Sequence, residues 1–156
     1  MAPKADENPA ITVRRAAMNL LARREQSFTE LLQKLTRKYP DMDRQETILP
    51  ALERLRNENL QSDARFVEAY VRFRSTRGMG PLKIEMELDQ KGVSSSLIWT
   101  ELYKDDMDWV ALCREALQRK FSDESAENLK DKEKRYRFLS QRGFDGEQIR
   151  SALAKK

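Results

Sequence analysis

Arg77-Gly78-Met79-Gly80-Pro81-Leu82-Lys83-Ile84-Glu85-Met86-Glu87-Leu88-Asp89-Gln90-Lys91-Gly92-Val93 decides how this chain is read, because shortened versions of it occur on either side. Upstream stands Ser27-Phe28-Thr29-Glu30-Leu31-Leu32-Gln33-Lys34-Leu35, and downstream Tyr136-Arg137-Phe138-Leu139-Ser140-Gln141-Arg142-Gly143-Phe144. Each copy reads as a short helix in which an acidic or apolar residue precedes Leu, followed by a basic residue and a stop. In the longest copy Gly78 to Pro81 form a turn, Pro81 is suited to the first helical position, and Gly92 suits the positive φ of a helix end. Copies separated by about 50 to 60 residues point to one supersecondary unit used three times, an organisation that makes binding surfaces more often than catalytic pockets.

Working outward, helical apolar spacing and capping signals divide the chain into nine helices. The first is predicted over 9–24, capped by Asn8 with Val13, Ala16, Ala17, Leu20 and Leu21 as its stripe. Ser27 with Glu30 opens the second, which Tyr39-Pro40-Asp41 ends. Asp43 with Glu46 opens the third, where Pro50 requires either a start near Thr47 or a kink. Ser62 caps the fourth, whose Phe66, Tyr70 and Phe73 read as core packing in preference to base stacking. The fifth carries Leu82, Ile84 or Met86, and Leu88, and the sixth carries Leu97, Ile98, Leu102 and Tyr103. The seventh begins near Asp106 to Asp108 and runs to about Phe121, a polar linker covers 122–128, and the last two helices reach Gln141 and Leu153. Gly92 leads to Ile98 and Leu102 at the same offsets at which Gly143 leads to Ile149 and Leu153. The expected organisation is a disordered 1–8, then three-helix repeats over 9–61, 62–104 and 105–156.

Composition agrees with an all-α chain. Charged residues make up 36% and apolar ones 39% of 156 residues, with only five Gly and five Pro, so stripes are narrow and β turns scarce. Three small units in a row predict a radius of gyration above the roughly 15 Å of a compact globule of this length. The lone Cys113 excludes an intramolecular disulfide framework. No window of about 18 consecutive apolar residues occurs, and Met1 to Pro9 lack the apolar core of a signal peptide, so a cytoplasmic location and no membrane contact are expected. No helix shows a leftover wide apolar face, which makes a monomer the default.

The net charge of +4 conceals a segregation. Between residues 65 and 83 Arg65, Arg72, Arg74, Arg77 and Lys83 face only Glu68. Between 84 and 108 Lys91 and Lys104 face Glu85, Glu87, Asp89, Glu101, Asp105, Asp106 and Asp108. Such a dipolar segment suits a polyanion or acidic partner on one side and a basic partner on the other, although long solvated helices also carry many charges.

Catalytic signals are missing. The chain has no histidine, which removes the commonest general base and metal ligand, and it has no phosphate-binding Gly-rich loop. Cys113 shares a helical face with Val110 and Leu117 and reads as a small buried apolar residue. Asp105, Asp106 and Asp108 read as helix caps, since the turn glycine and terminal Glu of a calcium loop are absent. No catalytic, cofactor or metal residue is assigned, and no enzyme activity is expected. The fifth and sixth helices have the shape of a helix-turn-helix, but the sixth offers Ser94, Ser95, Ser96, Thr100 and Glu101 with no Arg or Lys before Lys104. Phosphate neutralisation supplies most affinity for DNA, so the shape alone decides nothing, and nonspecific contact of residues 65–83 with nucleic acid stays open.

The chain resembles the RecX family, bacterial regulators of the recombinase RecA. The residues that carry the resemblance are Ala22-Arg23-Arg24-Glu25-Gln26-Ser27 with Glu30-Leu31-Leu32-Gln33-Lys34-Leu35, then Ser62-Asp63-Ala64-Arg65-Phe66. They continue with Gly78-Met79-Gly80-Pro81, Ile84, Glu87-Leu88 and Lys91-Gly92-Val93, and end with Arg137-Phe138-Leu139 and Arg142-Gly143-Phe144. Two departures stand out: Met79 where an aromatic residue is frequent, and Leu35-Thr36 with a long connector where a glycine often ends the second helix. The resemblance implies three tandem three-helix repeats in an elongated, curved molecule. It also implies docking along the groove of the RecA filament on single-stranded DNA, with suppression of ATPase, strand-exchange and coprotease activities by blocking extension or promoting disassembly. Noncovalent occlusion or filament capping is the mode expected for this chain. The residues expected to meet acidic recombinase surface or DNA phosphates are Arg72, Arg74, Arg77 and Lys83, with Lys91 and Arg142. The alternative is a DNA-binding regulator that uses these residues without RecA, in weak direct contact with single- or double-stranded DNA. A direct binder holds bare DNA with a steep salt slope, whereas a filament modulator prefers RecA-coated DNA.

Overall fold

The computed structural model describes residues 7–122 and 128–154. Residues 1–6 of the segment expected to be disordered, and 123–127 of the expected linker, lie outside the described residues. Among the described residues the chain forms nine α-helices and no strand: α1 (Pro9–Arg23), α2 (Phe28–Lys38), α3 (Leu49–Asn57), α4 (Asp63–Thr76), α5 (Pro81–Gln90), α6 (Ser95–Leu102), α7 (Trp109–Phe121), α8 (Leu129–Gln141) and α9 (Gly146–Leu153). The described residues pack as two units, one of residues 7–69 with 91–97, the other of residues 70–90 with 98–122 and 128–154.

Helix starts follow the side chains that accept orphan backbone N–H groups. Asn8 accepts from the Ala10 N–H at 2.9 Å. Ser27 and Glu30 form a reciprocal capping box on α2, as do Asp145 and Gln148 on α9. Asp108 and Asn128 cap α7 and α8. Pro50 is accommodated in a way periodicity does not reveal. Residues Arg44–Ile48 form a single π turn ahead of α3, with Ile48 N–H donating to the Asp43 carbonyl at 3.1 Å. Ile48 and Leu49 both stay in the right-handed helical region and the Leu49 N–H donates to the Arg44 carbonyl, so the π turn winds directly into α3 and the backbone bond that Pro50 cannot donate is left out at this junction.

In the first unit Val13, Ala16 and Ala17 of α1, Leu31 and Leu35 of α2, Tyr39, and Ile48, Leu52 and Leu55 form one buried cluster. A polar knot holds the entrance to α2. Glu30 is buried, accepts from Arg24 Nη2 at 3.0 Å and Lys91 Nζ at 3.3 Å, and takes the Ser27 N–H at 3.1 Å. Burial alone would raise its pKa. The Arg24 hydrogen bond, the Ser27 N–H, and the charges of Arg24 and Lys91 outweigh that and hold the carboxyl at about 2, against 4.5 ordinarily. Because the folded value lies below the unfolded one, this stabilisation is complete above about pH 4.5 and disappears as pH falls towards 2. Urea unfolding should therefore show the wild type losing on the order of 2–3 kcal/mol from this group over that window, a figure reduced because Arg24 is half exposed to screening solvent. Glu30→Gln should be less stable by a similar amount at pH 7 and flatter below pH 5. An unchanged acid limb would contradict the assignment.

In the second unit the buried residues include Val71, Ile84, Leu88, Ile98, Leu102, Trp109, Cys113, Ala116, Leu139, Phe144, Ile149 and Ala152. The Trp109 indole N–H donates to the Leu102 carbonyl at 2.7 Å, which joins the end of α6 to the start of α7. Burial, with a smaller contribution from the Asp145 charge, pushes the Cys113 thiol up to about 12. The residue is a packing element, as expected from its helical face.

Two expectations about apolar faces change. On α4 the core residues are Phe66, Val67 and Val71, whereas Phe73 is 51% exposed and covered on one face by the Arg77 guanidinium at 4.2 Å. On α5 Ile84 and Leu88 are buried, but Leu82 and Met86 are 49% and 54% exposed, so this helix does leave an apolar face outward.

One joint occurs twice, once within each unit. In the first, Ser27 Oγ at the start of α2 donates to the Lys91 carbonyl at 2.9 Å, and Gly92 lies directly against Thr29. In the second, at the start of α5, the Gly80 N–H donates to the Arg142 carbonyl at 2.7 Å and the Leu82 N–H to the Gly143 carbonyl at 2.9 Å, with Gly143 directly against Lys83. In both cases the turn that ends a helix lies across the first turn of another.

A candidate basic cleft

The second unit carries a cleft of about 230 Å³ lined by Arg77, Gly78, Ala116, Arg119, Lys120, Phe138 and Arg142. Three helix ends build it. Gly78 at φ 86° lets the chain leave α4, as the Met79 N–H donates back to the Arg74 carbonyl at 3.1 Å. Arg119, in the last turn of α7, donates through Nη1 to the Thr76 carbonyl at 3.1 Å, so a cation sits at the negative end of the α4 dipole. Lys120 follows it in sequence. At the end of α8, Arg142 lies 5.0 Å and Lys120 5.7 Å from the centre of the Phe138 ring, and that ring meets Phe121 edge-on at 5.7 Å.

The electrostatic character of this cleft follows from what is missing at its wall. Four cations converge, and among the described residues no carboxylate lines the cleft or pairs with Arg77, Arg119, Lys120 or Arg142. Stacking on an aromatic face uses the π side of a guanidinium and leaves its in-plane N–H donors available for carboxylate or phosphate oxygens. The arrangement can bind an anion and has no group poised for chemistry.

The structure brings two of the six expected residues, Arg77 and Arg142, to this one place. Arg74 is half-buried and engaged, donating to Glu87 from Nε at 2.9 Å and Nη2 at 2.8 Å, while the Tyr70 hydroxyl donates to the same carboxylate at 3.0 Å. The Glu87 hydrogen bond raises the Arg74 pKa against the opposing effect of burial. Arg74 therefore clamps α4 to α5 with its charge neutralised. Lys91 is engaged with Glu30. Lys83 is partly buried with its Cβ against Gly143, and Arg72 is exposed on α4 away from the cleft lining. Arg119 and Lys120 were missed. Their signal was a basic pair in the last turn of α7, followed by the aromatic Phe121.

Residues 62–99 match the family profile of RecX, second three-helix domain, and residues 106–153 that of RecX, third three-helix domain. The chain is 41% identical over 92% of its length to Regulatory protein RecX of Pseudomonas entomophila (strain L48), covering 91% of that protein. The chain belongs to the RecX family. It is also 42% identical over 92% of its length to the Regulatory protein RecX of Chromohalobacter salexigens, covering 91% of that relative. The crystal structure of RecX from Lactobacillus salivarius superposes with a TM-score of 0.73 at 22% identity, covering 93% of this chain and 94% of that one, so the fold is shared. In this RecX-family chain Arg77 comes from the segment matching the second domain, and Arg119, Lys120 and Arg142 from the segment matching the third. No helix among the described residues is long and apolar enough to cross a membrane.

Proposed function

We propose that this RecX-family chain is a negative regulator of RecA, built of repeats over 9–61, 62–104 and 105–156. It docks on the RecA filament on single-stranded DNA in the cytoplasm and lowers ATPase, strand-exchange and coprotease activity by noncovalent occlusion or capping. The observation that carries this reading is the basic cleft, four cations without a carboxylate partner among the described residues, in a chain whose relatives are named regulatory proteins. A nucleoprotein filament offers phosphate and carboxylate oxygens in abundance, and a preformed cluster of unneutralised cations attracts them at long range. Arg77, Arg119, Lys120 and Arg142 make the contact, and Arg72 and Lys83, outside the cleft lining, are secondary candidates. Arg74 and Lys91 hold the fold. The alternative of a regulator acting on DNA alone has less support, since α6, the helix that would enter a groove, contains no Arg or Lys.

The test is to titrate the protein into RecA, single-stranded DNA and ATP and follow hydrolysis. Hydrolysis should fall. Inhibition well below one molecule per recombinase monomer marks end capping, and inhibition only near one per monomer marks occlusion along the groove. Unaltered hydrolysis at saturation overturns the proposal. Bare single-stranded DNA should bind more weakly than the filament, with a salt slope no steeper than about −3, the value for four neutralised phosphates at about −0.7 each.

A further inference from the structure

We infer that the outward face formed by α5 and the residues 98–103 around the end of α6 is a protein-docking surface for a partner that presents apolar side chains flanked by basic ones. Leu82, Glu85 and Met86 lie on one side of α5 at helical i, i+3, i+4 spacing. The Trp99 indole N–H donates to Glu85 Oε1 at 3.2 Å, which joins this side to Trp99, and the Trp99 ring lies 4.6 Å from that of Tyr103. Leu82, Met86 and Trp99 are about half exposed and Tyr103 is 39% exposed. Four large apolar side chains left outward on adjoining elements cost solvation unless a partner covers them. Trp and Tyr are the side chains that most often dominate such contacts.

Charge selects the kind of partner. Glu85 lies within the face and the exposed Asp89 follows it on α5, while Lys104, next to Tyr103, is paired with Glu101. Burial first, and then the charges of Glu85 and Asp145, raise the Tyr103 pKa. A phosphate backbone is repelled here, whereas lysines or arginines around an apolar centre are attracted. Within the second unit the basic cleft thus takes anionic groups, and this face takes protein. The assignment of that protein as RecA rests on the function proposed above.

The experiment uses the full chain with a fluorophore at its amino terminus, and RecA protein as the probe, both free and assembled on single-stranded DNA. Met86→Gln with Trp99→Gln replaces exposed residues by good or neutral helix formers, and Glu85→Lys reverses the charge separately. Each should weaken RecA binding at least about tenfold, the loss typical of truncating an interface hot spot, while leaving binding to bare single-stranded DNA unchanged. In the wild type, RecA should protect Trp99 from acrylamide quenching, measured as the difference from Trp99→Phe. Wild-type affinity for RecA in both variants, with Trp99 still quenched, overturns the inference alone. An equal loss of bare-DNA binding shows a nucleic-acid contact and also overturns it, as does a Trp99-dependent dimer in sedimentation without a change in RecA affinity. A wild type that does not bind RecA at all removes the proposed function and the docking assignment together.

Discussion

Arg77→Glu combined with Arg142→Glu is expected to abolish inhibition of RecA while the helical fold persists. The two residues approach the cleft from different helices, and among the described residues neither has a carboxylate partner whose loss would destabilise the native state. Reversal converts two attractions into two repulsions, and like-charge juxtaposition at an interface costs several kcal/mol. Binding to the filament should fall at least about 100-fold, with Arg119→Gln adding to the loss. Circular dichroism and urea unfolding should show little change, since the cation–π contacts given up are worth about 0.5–1 kcal/mol each at exposed sites. Arg74→Gln provides the contrast. It leaves Glu87 half-buried without its bidentate partner, so it should lower stability by about 2–4 kcal/mol while sparing filament binding in the fraction that remains folded. If the cleft variant inhibits like the wild type, the cleft is not the contact.

The second large effect concerns the backbone crossing at the start of α5. A Cβ on Gly80 would lie well inside van der Waals contact of the Gly143 carbonyl carbon and the Phe144 nitrogen, and a Cβ on Gly143 would strike Lys83. Gly143 also holds φ at 98°, which L side chains rarely adopt. Because backbone atoms stand in the way, the clash at Gly80 relaxes only if the turn after α8 moves off α5 and the two N–H to carbonyl bonds are lost. Gly143→Ala should cost about 2–5 kcal/mol, combining about 1–3 for the strained backbone with about 1–3 for overpacking. Gly80→Ala should cost about 2–4 kcal/mol. Against a total stability of about 5–15 kcal/mol, the double variant is expected to be largely unfolded at 37 °C. Gly146→Ala is the control, because its nearest neighbour is the flexible end of Arg150 at 3.0 Å, and its unfolding midpoint should stay within about 1 kcal/mol of the wild type. Equal stability of all three variants would refute the crossing.

Much of this architecture was legible because helix termini are written locally. Ser27 with Glu30, Asp145 with Gln148, and Asn8 each announce a start within three residues, and all three operate as caps. Gly92 and Gly143, from which the matched offsets were counted, both take positive φ and lie across the first turn of another helix, and Ile98 and Ile149 are both buried, whereas Leu102 is buried and Leu153 only partly so. Side-chain orientation was less legible. Spacing could not choose between Ile84 and Met86 on α5, because Leu82, Ile84, Met86 and Leu88 alternate and support two faces, and only packing buries Ile84 and Leu88. The π turn before Pro50 depends on the competition between one missing N–H and continuous winding, which no apolar pattern records.

The candidate site was half legible for a related reason. Charge counting along residues 65–83 found Arg77 but gave equal weight to Arg74, whose charge is neutralised by a carboxylate 13 positions away. Arg119 and Lys120 lie about 40 residues from Arg77 in sequence, so no window placed them beside it. A basic cluster assembled from three helix ends belongs to the tertiary fold.

The recurring joint has a consequence for how such a chain tolerates change. Its hydrogen bonds at the start of α5 run from main chain to main chain, and its closest approaches are made by glycines. At that copy almost no side-chain information is spent on telling one helical turn where the next must lie, and at the start of α2 the Ser27 hydroxyl supplies the hydrogen bond. Most of the outer surface is thereby released from the task of assembly, and substitutions there can alter what the molecule holds without altering how it is strung together.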